Sequence, residues 1–109
     1  GLTSASGEKL VPLLLAKGAS IDAVDSEGYT PLHFHCAKGN LYGASALLQH
    51  GADPDCQTKE AVGALSPLHI CAKHNNVEIA KVLLAYGANQ TLLSSSGERA
   101  KDVGLFDVL

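Results

Sequence analysis

Thr30-Pro31-Leu32-His33 returns thirty-six residues later as Ser66-Pro67-Leu68-His69, and that return limits this chain to folds built from a repeated unit. Each copy sets a hydroxyl residue before a proline. At a helix start the hydroxyl accepts an orphaned backbone N–H, and proline has no N–H to leave unsatisfied. Both copies run into an apolar stretch that ends in Leu-Leu-x-x-Gly-Ala, at Leu47-Leu48 before Gly51-Ala52 and at Leu83-Leu84 before Gly87-Ala88. Leu14-Leu15 before Gly18-Ala19 is a further ending of the same kind. The distance from proline to glycine is twenty in both full copies, so the helical part is constant. From glycine to the next start the distance is thirteen, then sixteen, then thirteen again if Ala100 takes the proline's place. The basic period is thirty-three, with three residues inserted once.

A thirty-three-residue period carrying Gly28-Tyr29-Thr30-Pro31-Leu32-His33 and Leu-Leu-x-x-Gly-Ala resembles the ankyrin repeat family. The resemblance covers nearly the whole chain. It implies an all-α solenoid of stacked antiparallel helix pairs with projecting finger turns, forming a single domain over residues 1–109. Its parts are a partial repeat over 1–24, a full repeat over 25–57, a full repeat with the inserted finger over 58–93, and a partial terminal repeat over 94–109. Stability in such a stack comes from the interfaces between units.

Residues Glu8 to Lys17 read as an outer helix with Leu10, Val11, Leu14 and Leu15 on one face, kinked or delayed by Pro12. Inner helices are expected from Pro31 to Lys38 and from Pro67, stopped by Gly39 and by Asn75, the next best residue for a left-handed cap. Outer helices are expected over Leu41–Gln49 and Val77–Ala85, with Asn40 and Asn76 as caps. A last helix starts near Ala100, where Lys101 and Asp102 replace the leucine and histidine of the motif. Leu105, Phe106 and Val108 are more apolar than a free end favours.

Hydrophobic residues make up 46% of the chain and aromatics only 5%, which suits helices packed through alanine and leucine. A formal charge of −3, with Lys and Arg scattered singly, gives no basic stripe for phosphates and argues against a nucleic-acid partner. No apolar run reaches the length of a membrane span, and no signal-like segment opens the sequence. Three cysteines, Cys36, Cys56 and Cys71, do not form a disulfide framework and fit a reducing cytoplasm or nucleus.

The five histidines and three cysteines invite a metal or nucleophile reading, which their spacing opposes. A zinc site needs four convergent ligands, and His33 and His35, two apart on a helix, point to different faces. No phosphate loop, nucleophile elbow or metalloprotease motif is present. No cofactor, metal or catalytic residue is therefore expected. His33 and His69 are expected to tie neighbouring backbone turns together, Cys36 and Cys71 to act as small hydrophobes, and His35 to reach into the groove or fill space.

The resemblance further implies a module that binds another protein through a concave surface of finger tips and inner helices. Carried over by position, its binding residues are Val24, Ser26, Glu27, Tyr29, Ala37, Lys38, Gln57, Leu65, Lys73, His74 and Leu93. Tyr29 and Leu65 are the expected apolar anchors. Val62 and Leu65, in the longer finger over 59–65, have no evident core to enter and are expected to overhang the groove. The alternative is an ankyrin segment of a larger enzyme, such as a GTPase-activating protein, kinase or palmitoyltransferase, whose catalytic domain lies outside this chain.

Overall fold

A computed structural model describes residues 21–104. Five α-helices follow one another: α1 (Pro31–Lys38), α2 (Leu41–Gln49), α3 (Pro67–His74), α4 (Val77–Ala85) and the short α5 (Ala100–Val103). Among the described residues there is no β-strand. The expectations for the Glu8–Lys17 helix and Pro12, and for Leu105, Phe106 and Val108, lie outside the described residues.

The two inner helices begin identically. Thr30 Oγ1 accepts the His33 N–H at 3.3 Å while the Thr30 N–H donates to His33 Nδ1 at 3.0 Å. Ser66 and His69 repeat this exchange at 3.3 and 3.2 Å, so both starts are reciprocal capping boxes. Each helix stops where a left-handed residue turns the chain back, Gly39 at φ 72° and Asn75 at φ 57°. Asn40 caps α2 by accepting the Gly43 N–H at 3.1 Å. Asn76 departs from the expected parallel: it makes no cap hydrogen bond, and its amide donates to the Cys36 carbonyl at the end of the preceding inner helix. Proximity across the interface redirected that side chain.

Helices α1 and α3 pack side by side, α3 packs against α5, and each outer helix lies on its own inner helix and on the next outer one. The core between them is aliphatic. Leu32, Leu47, Leu48, Leu68, Ile79 and Leu83 fill it, and Ala44, Ala80, Cys36 and Cys71 let the helices approach. Full burial of one leucine contributes about 1.5–3 kcal/mol, so these side chains dominate the stability of the stack.

The finger turns explain the broken period. In the first finger the Asp25 N–H donates to the Tyr29 carbonyl, and in the third the Ser94 N–H donates to Glu98, each a separation of four residues. In the second the Thr58 N–H donates to Leu65, a separation of seven. The three additional residues thus lie between Thr58 and Leu65, where a 3₁₀ turn over Glu60–Val62 takes them up. Gly63 and Ala64 close it with φ of 119° and 50°. Adjacent fingers are joined by Lys59 N–H to the Glu27 carbonyl and by Ser95 N–H to the Gly63 carbonyl. That join is tight: a Cβ on Gly28, at φ +87°, would come within 2.9 Å of the Lys59 nitrogen.

Candidate functional site

The motif histidines set the spacing between fingers and inner helices. His33 Nε2 donates to the Leu65 carbonyl at 2.9 Å, and His69 Nε2 donates to the Glu98 carbonyl at 2.8 Å. Each ring therefore accepts from the first turn of its own helix and donates to the root of the next finger. This places the proton on Nε2 of His33, and burial pushes its pKa below the ordinary histidine value, against the raising effect of its hydrogen bond to Leu65. Both rings are 1% exposed, which leaves them structural.

His35 also has a packing explanation. Its ring lies against Gly43 on the paired outer helix, where an added Cβ would fall 2.5 Å from ring atoms. Thirty-six residues on, the equivalent pair is Cys71 and Ile79, both buried. Large and small side chains have exchanged places between the two repeats. Burial lowers the pKa of His35. Cys36 is also fully buried, and its thiol is pushed up chiefly by a hydrogen bond with Cys71. Among the described residues no three His, Cys, Asp or Glu side chains converge in a way that could hold a metal ion.

The sequence-derived binding residues divide into exposed and occupied groups. Val24 and Leu93 are each 56% exposed at equivalent finger positions. Gln57 stands between them, exposed, but its amide donates to the Ala64 and Leu93 carbonyls and so braces two fingers. Ser26, Glu27, Lys38, Lys73 and His74 are exposed, and Ala37 is half-buried beside them.

The two expected anchors sit against the stack rather than projecting from it. Tyr29 and Leu65 are half-buried and packed on the core. The Tyr29 ring meets His33 edge-on at 5.7 Å and lies tilted against Phe34 at 6.0 Å. Leu65 is drawn in because its backbone is held twice, by His33 Nε2 at its carbonyl and by Thr58 Oγ1 at its N–H, 2.8 Å away. Leu65 thus does find a core, and Val62 beside it is half-buried.

Sequence reasoning passed over two exposed aromatic residues. Phe34 is 50% exposed although its repeat equivalent Ile70 is 4% exposed, and Tyr42 on α2 is 75% exposed. Tyr42 aligns with Glu78, so an aromatic at a charged surface position was the signal available. An open groove of about 400 Å³ runs near it, between Gly39, Leu41 and the start of α4.

Helix pairs stacked in register, braced by capping histidines and joined through finger turns, define a helical repeat solenoid. A family profile for ankyrin repeats, in 3 copies, matches residues 2–94, and the chain belongs to the ankyrin repeat family. It is similar to human BCL-6 corepressor-like protein 1, with 34% identity over 85 residues, covering 78% of this chain and 5% of that protein. Human SMC5-SMC6 complex localization factor protein 1 is 39% identical over 80 residues, 73% of this chain and 7% of the relative. Mouse ankyrin repeat and SOCS box protein 9 is 33% identical over 95 residues, 87% of this chain and 31% of the relative. The chain thus spans a minor part of the length of these relatives. Ankyrin repeats are generally protein-interaction modules. Among the described residues no helix is long and apolar enough to cross a membrane.

Proposed function

We propose that this chain binds a segment of another protein on the surface bounded by its finger tips and inner helices, and that it performs no catalysis itself. One observation carries the reading. Cap hydroxyls, motif histidines and core leucines are buried and engaged, whereas Val24, Ser26, Glu27, Lys38, Lys73, His74 and Leu93 are exposed on fingers and inner helices that the ladder holds rigid. A preformed surface loses little conformational entropy on association. Val62 in the longer finger belongs to the proposed surface, with Tyr29, Ala37, Gln57 and Leu65 as its floor.

A photo-crosslinking residue at Ser26 or Lys73 is expected to capture partner, while one at Gln49 or Lys81 on the outer helices is not. Capture from the outer helices alone would overturn the reading. The small share of its relatives that the chain spans supports a second reading, in which this segment selects a partner for a larger protein, including an enzyme with its catalytic domain elsewhere. An intracellular location, cytoplasmic or nuclear, goes with either reading, in keeping with the free thiols of Cys36, Cys56 and Cys71.

A further inference from the structure

The two inner helices, Pro31–Lys38 and Pro67–His74, contain no carboxylate, yet each carries a lysine in its last turn. Lys38 and His74 hold the same position in consecutive repeats, and Lys73 lies one residue before His74. Because α1 and α3 pack side by side, these groups form a row with an interval of about 10 Å, the usual spacing of packed helices. Lys38 and Lys73 are exposed, and neither has an ion-pair partner among the described residues, where the salt bridges are Glu78 with Lys81 and Arg99 with Asp102. The opposite margin has the other sign. Glu27 and Glu60 are exposed on consecutive fingers, with Lys59 as the single cation between them. An eight-residue helix, roughly 12 Å long, separates the two margins.

A lysine near a helix C-terminus is favoured by the helix dipole, which accounts for one cation per helix. The dipole does not account for helices without a neutralising carboxylate facing acidic finger tips. Resting on the binding surface proposed above, we infer that its occupant is an extended peptide segment of alternating charge. Successive side chains of an extended strand point to opposite sides, so carboxylates on one side meet Lys38 and Lys73 while cations on the other meet Glu27 and Glu60. The sequence shows these cations only as scattered singles; stacking α1 on α3 brings them into a row.

The test selects random dodecapeptides, displayed on phage, against the immobilised chain. Selected peptides are then measured by fluorescence anisotropy against the parent, an Ala37→Tyr variant that fills the surface, and a Lys38→Glu/Lys73→Glu variant. The charge variant changes only exposed positions, so it keeps the test valid if Ala37→Tyr unfolds. Acidic and basic residues at odd separations are expected in the selected peptides, with binding at least about tenfold weaker to the charge variant and falling with salt. Adding Glu27→Lys/Glu60→Lys should then favour the charge-inverted peptide. Peptides blocked by Ala37→Tyr but indifferent to charge reversal would overturn the inference and leave the binding surface standing. Peptides indifferent to both variants would remove the surface as well. An oligonucleotide competing as well as the peptides would also overturn the inference, since it requires no cation on the occupant.

Discussion

His33 Nε2 and the Leu65 carbonyl, thirty-two residues apart in sequence, meet at 2.9 Å and fasten one inner helix to the root of the next finger. His69 and Glu98 repeat the bond at 2.8 Å. Asp102 takes the histidine position in α5, accepts the Arg99 N–H at 2.9 Å, and as a carboxylate has no N–H to donate onward. Replacing His69 by alanine removes a cap partner and the link to Glu98 together. Because buried groups are left unsatisfied, urea unfolding should show a loss of about 2–4 kcal/mol. Asp102→Ala, at an exposed cap, should cost clearly less than His69→Ala. Equal losses would contradict the bracing role.

The exchange of size between His35/Gly43 and Cys71/Ile79 makes a double-mutant cycle informative. Gly43→Ile alone drives a side chain into the His35 ring and should cost about 1–3 kcal/mol. His35→Cys alone opens space and should cost a similar amount. Combined, they recreate the second repeat's pair and should recover at least about 1 kcal/mol of the summed loss. Strict additivity, read by thermal unfolding, would show that the ring and the glycine are not coupled.

Burial lowers the pKa values of His33 and His35, which gives stability a definite pH slope. The unfolded chain then binds more protons than the folded one on the acid side of the ordinary value of 6.5, so stability rises with pH through that window. Melting temperature should fall on acidification from about pH 7.5 to about pH 5. The His35→Cys/Gly43→Ile variant should show a shallower fall. Asp25 and Asp102 act in a separate window: hydrogen bonds from the Tyr29 and Arg99 N–H groups lower their pKa values, so their contribution is lost only as pH falls through the ordinary carboxylate value of 3.8 and below.

Removing Ala61, Val62 and Ala64 would return the second finger to the four-residue closure of its neighbours, with Gly63 at the positive-φ position that Gly28 and Gly97 hold. Loop-closure entropy changes little with three residues, so stability should shift by less than about 1 kcal/mol. Binding of a peptide selected on the parent should weaken if this finger contributes contacts, and unchanged binding would reduce it to a surface bulge.

Cys36→Ala and Cys71→Ala should each cost about 1 kcal/mol, against about 2–5 kcal/mol for Leu47→Ala or Leu83→Ala, because a thiol leaves a smaller cavity than an isobutyl group. A thiol reagent should modify the half-buried Cys56 before Cys36 and Cys71, which react only on unfolding. Equal rates for all three would contradict the burial.

The limits of the two inner helices were legible in the sequence, because they depend on chemistry within four residues: a hydroxyl before proline, and glycine or asparagine in a left-handed cap. The sequence also located the three-residue insertion in a finger, since the helices kept their register. The roles that needed a partner thirty or forty residues away were decided only by the tertiary structure. Leu65 turned inward because His33 and Thr58 hold its backbone; Asn76 left its own helix for the Cys36 carbonyl; His35 found its space over Gly43. The periodicity of a repeat specifies which positions face a neighbour, but the size and hydrogen-bonding capacity of that neighbour decide what each side chain does there.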